Sequence, residues 1–592
     1  TITFQTAGPL ASALALLDRP PLHFNSPMGV SPQSAGGSAT IDARFVMPLK
    51  KKLSFADMQV AASASLQDAA LPKIADRFPL SRGDLAVQVD KKHLEIKGTA
   101  DLAGVPLHVL WQENFTGAGP FDSRYTLKGT IDDAGRKALG FDTRPYISGP
   151  VAASLEIDSR RRGATRIDGT LGLAKARLEI PQAYWHKPAG GAGEASFHVT
   201  LPRAGETDLT GFTIAAGDLR ASGSGSFGPQ GLERFALPKL IFGHNDLTLE
   251  IGRRGDGGYR ILVSGKRFDL APFLADTAAT TAATTVTADQ GPTLELSGHL
   301  DALRFGPGRA VADVAARILR QDGRIAQMTL NGRLGQKAKL QVAITPAGRQ
   351  RHLAVVADDA GAVVKLVGIS DNLVGGSFAL NATMADDQPG APISGRIVMH
   401  DFKVIKAPVL ARLLTVASLS GMGEILSGQG IAFTNTEIPF TMEGSKITIR
   451  DALGHGGALG FTLDGSIDRA AGKANLGGTL VPAYTLNTLL GKLPLIGQIF
   501  TSRPGEGIFG ITYRVTGPID NPQVSVNPLS ALTPGILRRI FEIGEGGQAV
   551  PGAAMKSGPP QGTNVPQAAP PAVKPATPLP PAPAAPPAAT KP

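Results

Sequence analysis

Lys339-Leu340-Gln341-Val342-Ala343-Ile344-Thr345 sets Leu340, Val342 and Ile344 on one face of an extended chain and Lys339 and Gln341 on the other. A side-chain period of two is the geometry of a β-strand. A strand that is apolar on one face only belongs to an antiparallel sheet with its other face in water. The same alternation recurs along the chain: Leu85, Val87 and Val89; Leu247, Leu249 and Ile251; Ile438, Phe440 and Met442; Ile447 and Ile449; Phe461 and Leu463; Ile511, Tyr513 and Val515. The expected fold class is mainly β, a long curved antiparallel sheet, and alternation alone would equally permit a sandwich or a barrel.

A second regularity is an aliphatic residue, any residue, then Gly, often with another aliphatic two positions on. Examples are Leu127-Lys128-Gly129-Thr130-Ile131, Ile167-Asp168-Gly169-Thr170-Leu171, Leu330-Asn331-Gly332-Arg333-Leu334 and Leu463-Asp464-Gly465-Ser466-Ile467. Gly within a strand relieves crowding where a sheet bends or bulges. The spacing is irregular, so the pattern predicts one sheet that keeps curving rather than a solenoid of fixed repeat. Acidic pairs at Asp132-Asp133, Asp358-Asp359 and Asp386-Asp387 precede Gly within four residues and read as hairpin turns.

Helices are expected to be few and short. Candidates are Gly8–Leu17, Ala407–Leu426 with Leu410, Leu413 and Leu414 on one face, and two short pieces either side of Pro494. A last one starts at Pro534 behind Thr533 and carries Ile536, Leu537, Arg538, Arg539, Ile540 and Phe541. Residues 277–289 are almost wholly Thr and Ala and read as a loop. From about 545 to 592 the chain is rich in Pro and Ala and cannot bury a core. The expected organisation is thus strands over 1–276, the Thr/Ala loop at 277–289, further strands over 290–400, a region with short helices over 401–544, and the tail over 545–592.

Composition excludes several chemistries. The 592 residues contain no Cys, which removes disulfides, thiolate metal sites and Cys nucleophiles. Net charge is +10, yet Lys and Arg are scattered, and no basic stripe is interleaved with aromatics; nucleic acid is not an expected partner. The ten His are dispersed without metal-ligand spacing. Two GxGxxG strings, Gly223-Gly225-Gly228 and Gly505-Gly507-Gly510, lack the strand-then-helix setting of a phosphate site and read as turn glycines. The expectation is a non-enzyme with no cofactor and no metal. The chain opens at Thr1 without Met and reads as a processed form or part of a longer one.

The most specific strings lie towards the C-terminus: FKVIKAPVLARLLTVASLSGM (Phe402–Met422), GQGIAF (Gly428–Phe433), GTLVPAY (Gly478–Tyr484), LPLIG (Leu493–Gly497), GEGIFG (Gly505–Gly510) and NPLSALTPGILR (Asn527–Arg538). Together they resemble the C-terminal region of the AsmA-like family, of the YhdP and TamB kind. Upstream, IPQAYWHKPAG (Ile180–Gly190) resembles the family's central domain, with His186 where a basic residue is usual. The resemblance covers Thr1 to about Gly544.

It implies a taco-shaped β-groove in the periplasm of a Gram-negative envelope. That groove would pass phospholipid between inner and outer membranes, with an inner-membrane helix supplied by a part of the protein outside this sequence. The lining would then be Leu85, Val87, Val89, Leu247, Leu249, Ile251, Leu340, Val342, Ile344, Ile447, Ile449, Phe461 and Leu463. The helices bearing Leu410, Leu413, Leu414 and Ile536–Phe541 would sit near a membrane surface. Expected partners are phospholipid acyl chains, membrane surfaces and envelope proteins. The alternatives are a scaffold for outer-membrane protein assembly and, further off, a secreted β-helical adhesin or polysaccharide enzyme. Some 30 strands at about 4.8 Å each would make a groove on the order of 100–150 Å.

Overall fold

Strand follows strand in register through the described residues. The computed structural model describes residues 1–17, 32–48, 58–74, 78–117, 119–274, 291–385, 391–405, 430–482, 510–519 and 521–527. The chain divides into two compact units, Thr1–Arg539 and Ile540–Pro592, and all described residues belong to the first. The predicted Thr/Ala loop, Leu410, Leu413, Leu414, Ile536–Phe541, the pieces flanking Pro494, the pair Asp386-Asp387 and the Pro/Ala tail lie outside the described residues.

Among the described residues there are thirty-two strands, β1 (Ile2–Pro9) to β32 (Gln523–Asn527). Twenty-nine of them form one open sheet, and β8 (Ile147–Ser148), β11 (Arg177–Ile180) and β12 (Trp185–Lys187) form a small second one. In the large sheet each strand pairs with the next in the chain, skipping only β8, β11 and β12, and β24 (Leu373–Val374), which continues β25 (Ser377–Ala385) along β26 (Ile393–Val404). That leaves 28 rungs, and 27 spacings of about 4.8 Å make a path on the order of 130 Å.

Two expectations are corrected here. The sheet is mixed: β18 (Tyr259–Asp269) pairs in parallel with β19 (Leu294–Gly306), while every other described pair is antiparallel. A parallel pair needs a connection that returns along the strand, and the Thr/Ala-rich residues fall in that connection. Two of the acidic pairs, in turn, start helices rather than hairpins. Asp132 caps α2 (Asp133–Ala138) by accepting from the Gly135 N–H at 2.8 Å, and Asp359 caps α3 (Ala360–Leu366) by accepting from the Ala362 N–H at 2.9 Å. Asp is as good a helix cap as a turn residue, and the alternation on both sides hid the short intervening helices.

The predicted helix near Gly8 is α1 (Leu10–Leu17). The described helices sit near the start and in the middle of the chain; the helices expected towards the C-terminus fall outside the described residues. All the described helices, with the small sheet, emerge from the same end of the strands, here called the lid edge. The opposite end, the hairpin edge, is turned tightly at Lys91-Lys92, Pro229-Gln230, Asp322-Gly323, Gly348-Arg349 and Gly444-Ser445.

Apolar cores follow the lid edge. Leu10 of α1 packs with Ala39 and Ala69. Leu173, Ala176, Leu178 and Trp185 pack over Val151, Ala216, Leu219 and Phe242. Val363, Val364 and Leu366 of α3 join Val311, Val314, Phe402, Phe433 and Leu459.

Candidate functional site

The ladder registers show where the alternating apolar residues go. From β3 (Gln59–Ile74) to β4 (Phe78–Asp90), Leu66 faces Leu85 and Ala64 faces Val87; then Val87 faces Ile96, Ile96 faces Trp111, and Trp111 faces Tyr125. In the middle, Leu240 faces Leu247, Leu237 faces Leu249, Phe235 faces Ile251, and Ile251 faces Ile261. Further on, Leu330, Val342, Val355, Leu380, Ile397 and Ile438 face one another in turn over six strands. Near the end Met442 faces Ile447, Ile447 faces Ile467, Gly454 faces Phe461, Ala452 faces Leu463 and Leu480 faces Ile511. All thirteen residues expected to line a groove lie on this one face.

What holds the face in phase is a kink that the alternation does not reveal. Val311 and Val314, Met399 and Phe402, Ile449 and Ala452, and Leu66 and Ala69 are spaced by three, not two. Between the members of each pair sits an Asp in the left-handed region: Asp313 (φ 53), Asp401 (φ 53), Asp451 (φ 55) and Asp68 (φ 48). Arg82 (φ 50) does the same between Leu80 and Gly83. At Asp68, Arg82, Asp313 and Asp451 the ladder register shifts, so the extra residue is a β-bulge, which bends its strand while both flanking apolar side chains stay on one face. Asp reaches this conformation more readily than most residues.

The recurrent glycines answer the bulges. A Cβ on Gly332 would lie 2.4 Å from a Val311 methyl group, beside the Asp313 bulge. A Cβ on Gly169 would lie 2.2 Å from the Phe197 ring. Gly223, Gly225 and Gly228, expected in a turn, lie inside β15 (Leu219–Gly228), where the first two accommodate Phe212 and Phe235 on neighbouring strands. Of the second such string, only Gly510 is among the described residues.

Burial differs between the two ends of the face. Towards the lid edge the side chains are sealed, with Val311 and Leu459 at 0% exposure and Val314 at 2%. Towards the hairpin edge Val87, Val89, Leu249, Ile251, Val342, Ile447 and Leu463 are half-buried, with occasional buried exceptions such as Ile344. Their neighbours on the opposite face, Ala86, Gln88, Glu250 and Gln341, are exposed. The site is therefore a trough with a sealed floor and one partly open flank. At the start of the ladder a cavity of about 850 Å³ is lined by Phe4, Ala43, Ala62 and Val89, with Asp90, His93 and Glu95 towards the hairpin edge.

Two buried cations pin the lids. Lys187, only 2% exposed, donates its three Nζ protons to the carbonyls of Leu173 (3.0 Å), Ala176 (2.9 Å) and Pro188 (3.1 Å). Burial holds its pKa below the ordinary lysine value. Arg136 of α2 donates to the carbonyls of Ile131 and Gly149 at 2.9 Å and to Asp133 at 2.6 Å. Buried Trp185 donates Nε1–H to Asp218 at 2.7 Å, which is the main reason the Asp218 carboxyl lies below its usual range. The string around Trp185 and Lys187 thus builds a lid, with His186 exposed beside it.

The sequence reading missed these pins and the bulge residues. The apolar–x–Asp–apolar spacing was the available signal for the bulges. Among the described residues no group of three or more His, Asp or Glu is placed to hold a metal ion, and no helix is long and apolar enough to cross a membrane. Comparison with protein-family models, curated proteins and solved structures finds no match for this chain.

Proposed function

We propose that the trough carries phospholipid acyl chains along the ladder, as a bridge-like conduit between the two membranes of a Gram-negative envelope. One observation carries the reading: a single apolar face, sealed at one edge and half-buried at the other, runs in register through 28 rungs. Exposed apolar surface on this scale is unfavourable in water unless something covers it. A ligand that is apolar, flexible and indifferent to sequence suits a face built from Leu, Val, Ile and Ala with few polar contacts to set an orientation. The envelope setting and the direction between membranes come from the family resemblance of the C-terminal strings.

The test is a photo-crosslinking amino acid placed at Val342 or at Gln341 in cells of the source organism. Phospholipid captured from Val342 and not from Gln341 is the expected outcome. Equal capture at both, or none at either, removes the conduit reading. A β-barrel client captured in place of lipid would favour the assembly-scaffold alternative.

A further inference from the structure

The hairpin-edge rim of the trough carries a chemistry that its apolar walls lack. On β17 (Asn245–Arg253), Arg253 continues the face of Leu247, Leu249 and Ile251 at the same period of two. On β20 (Arg309–Gln321), Arg320 continues the face of Val314, Ala316 and Ile318 and stands opposite Leu294. On β23 (Gln350–Ala357), Arg351 precedes Leu353, Val355 and Ala357 on the same face and stands opposite Pro346. Each is the last inward position before a hairpin or strand end, and each is half-buried. Glu113 of β6 (Val105–Asn114) occupies the same rim nearer the start of the ladder, so the arginine stretch begins further along.

Distance gives these positions a meaning. Each arginine lies six residues from a buried residue of its own strand and face: Leu247, Val314 and Ala357. Six strand residues span about 20 Å. The hydrocarbon of one bilayer leaflet is about 15 Å deep, half of the ~30 Å core. A lipid whose tails reach the sealed floor therefore brings its phosphate level with the arginines.

The guanidinium fork matches phosphate oxygens two at a time. Arg253 donates to the backbone and side-chain oxygens of Gln230 at 2.6 and 2.8 Å, with Glu233 further off at 3.8 Å. Arg351 donates to the Ile325 carbonyl at 2.5 Å.

We propose that Arg253, Arg320 and Arg351 bind the headgroup phosphates of phospholipids whose tails cross the trough from hairpin edge to lid edge. The inference rests on the acyl-chain reading above and adds an orientation and a phosphate requirement. The full chain, stripped of lipid, is mixed with vesicles containing labelled phosphatidylglycerol or labelled diacylglycerol with the same tails, and lipid taken up per chain is measured. The natural protein should take up both, with phosphatidylglycerol ahead by about tenfold. Arg253→Gln/Arg320→Gln/Arg351→Gln should lose that preference and keep its diacylglycerol uptake. A triple variant that retains the preference overturns the proposal.

A natural protein that takes up neither lipid overturns the acyl-chain reading itself, which is a different failure. Inorganic phosphate should compete with phosphatidylglycerol and leave diacylglycerol uptake alone; phosphate that binds without affecting lipid uptake would assign the arginines to free anion instead. If the Gln variant fails to fold, the triple Arg→Lys variant keeps the charge but loses the fork. It should then show an intermediate preference, and an undiminished one would again overturn the proposal.

Discussion

Placing a carboxylate at two depths of one strand should separate a trough from an ordinary closed core. Val314 and Ile318 both face inward on β20, four residues or about 13 Å apart. Val314 is 2% exposed, among Val311, Leu334 and the other residues that α3 covers, whereas Ile318 is half-buried between Leu296 and Met328. Val314→Glu loses the burial of a valine and leaves an unpaired charge inside, a cost of about 3–5 kcal/mol. Ile318→Glu loses about half the burial of an isoleucine, about 1 kcal/mol, and its carboxylate stays wet beside Arg320.

Each rung packs chiefly on its neighbours, so the loss should be local rather than global. Hydrogen exchange of peptides covering 294–334 should accelerate by about a thousandfold for Val314→Glu and by about fivefold for Ile318→Glu. Burial raises the folded-state pKa of the introduced carboxyl at position 314 above its unfolded value. The penalty is therefore full above the folded value and fades as pH falls towards about 4. Equal acceleration for both variants would mean that the hairpin-edge half of the face is sealed too, and the trough would lose its physical basis.

Three further outcomes test the supports of the trough. Asp359→Ala should cost about 1 kcal/mol at the start of α3, read as faster exchange over 360–366 with β22 (Ala338–Ala347) little changed. Gly169→Val should overpack Phe197 by about 1–3 kcal/mol, and Phe197→Ala in the same chain should recover part of the lost thermal stability; no recovery would mean that the ring is not the obstacle. The Asp218 carboxyl, held below its ordinary 3.8 chiefly by Trp185, contributes stability above that value and loses it as pH falls through the lower folded-state value. With Trp111→Phe leaving Trp185 as the sole indole, its emission should shift to the red on acidification, and Asp218→Asn should abolish that dependence.

The alternation at Leu340, Val342 and Ile344 was enough to place strands and faces, because a period of two survives any register that keeps one face dry. It could not show where strands bend. Val311-Ala312-Asp313-Val314 breaks the period by one residue, and in the sequence that break looks like the end of a strand rather than a bulge within one. Asp358-Asp359 reads as a turn because helix caps and hairpin turns draw on the same short acidic side chains. Lys187 and Arg136 were illegible for a different reason. Their acceptors are backbone carbonyls brought near only by folding, so no spacing in the sequence announces them.

The parallel pairing of β18 with β19 accounts for the common position of the lids. In an unbroken antiparallel meander, strand direction alternates at every rung. Counting from β1, strands ending at the lid edge would be the odd rungs, among them β7 (Ser123–Ile131), which leads into α2. β18 is the fifteenth rung. Without a parallel step, β23 as the twentieth would end at the hairpin edge and would carry α3 there.

The parallel step repeats one direction and shifts the parity of all later rungs. Asp359 and α3 then emerge on the same edge as Asp132 and α2, and Val404 and Ile431, which flank residues 406–429, also lie at the lid edge. One crossover thus keeps α1, α2, the small sheet and α3 on one flank of the described ladder. A trough open along a single flank needs that consistency, whereas a sheet that is merely long does not.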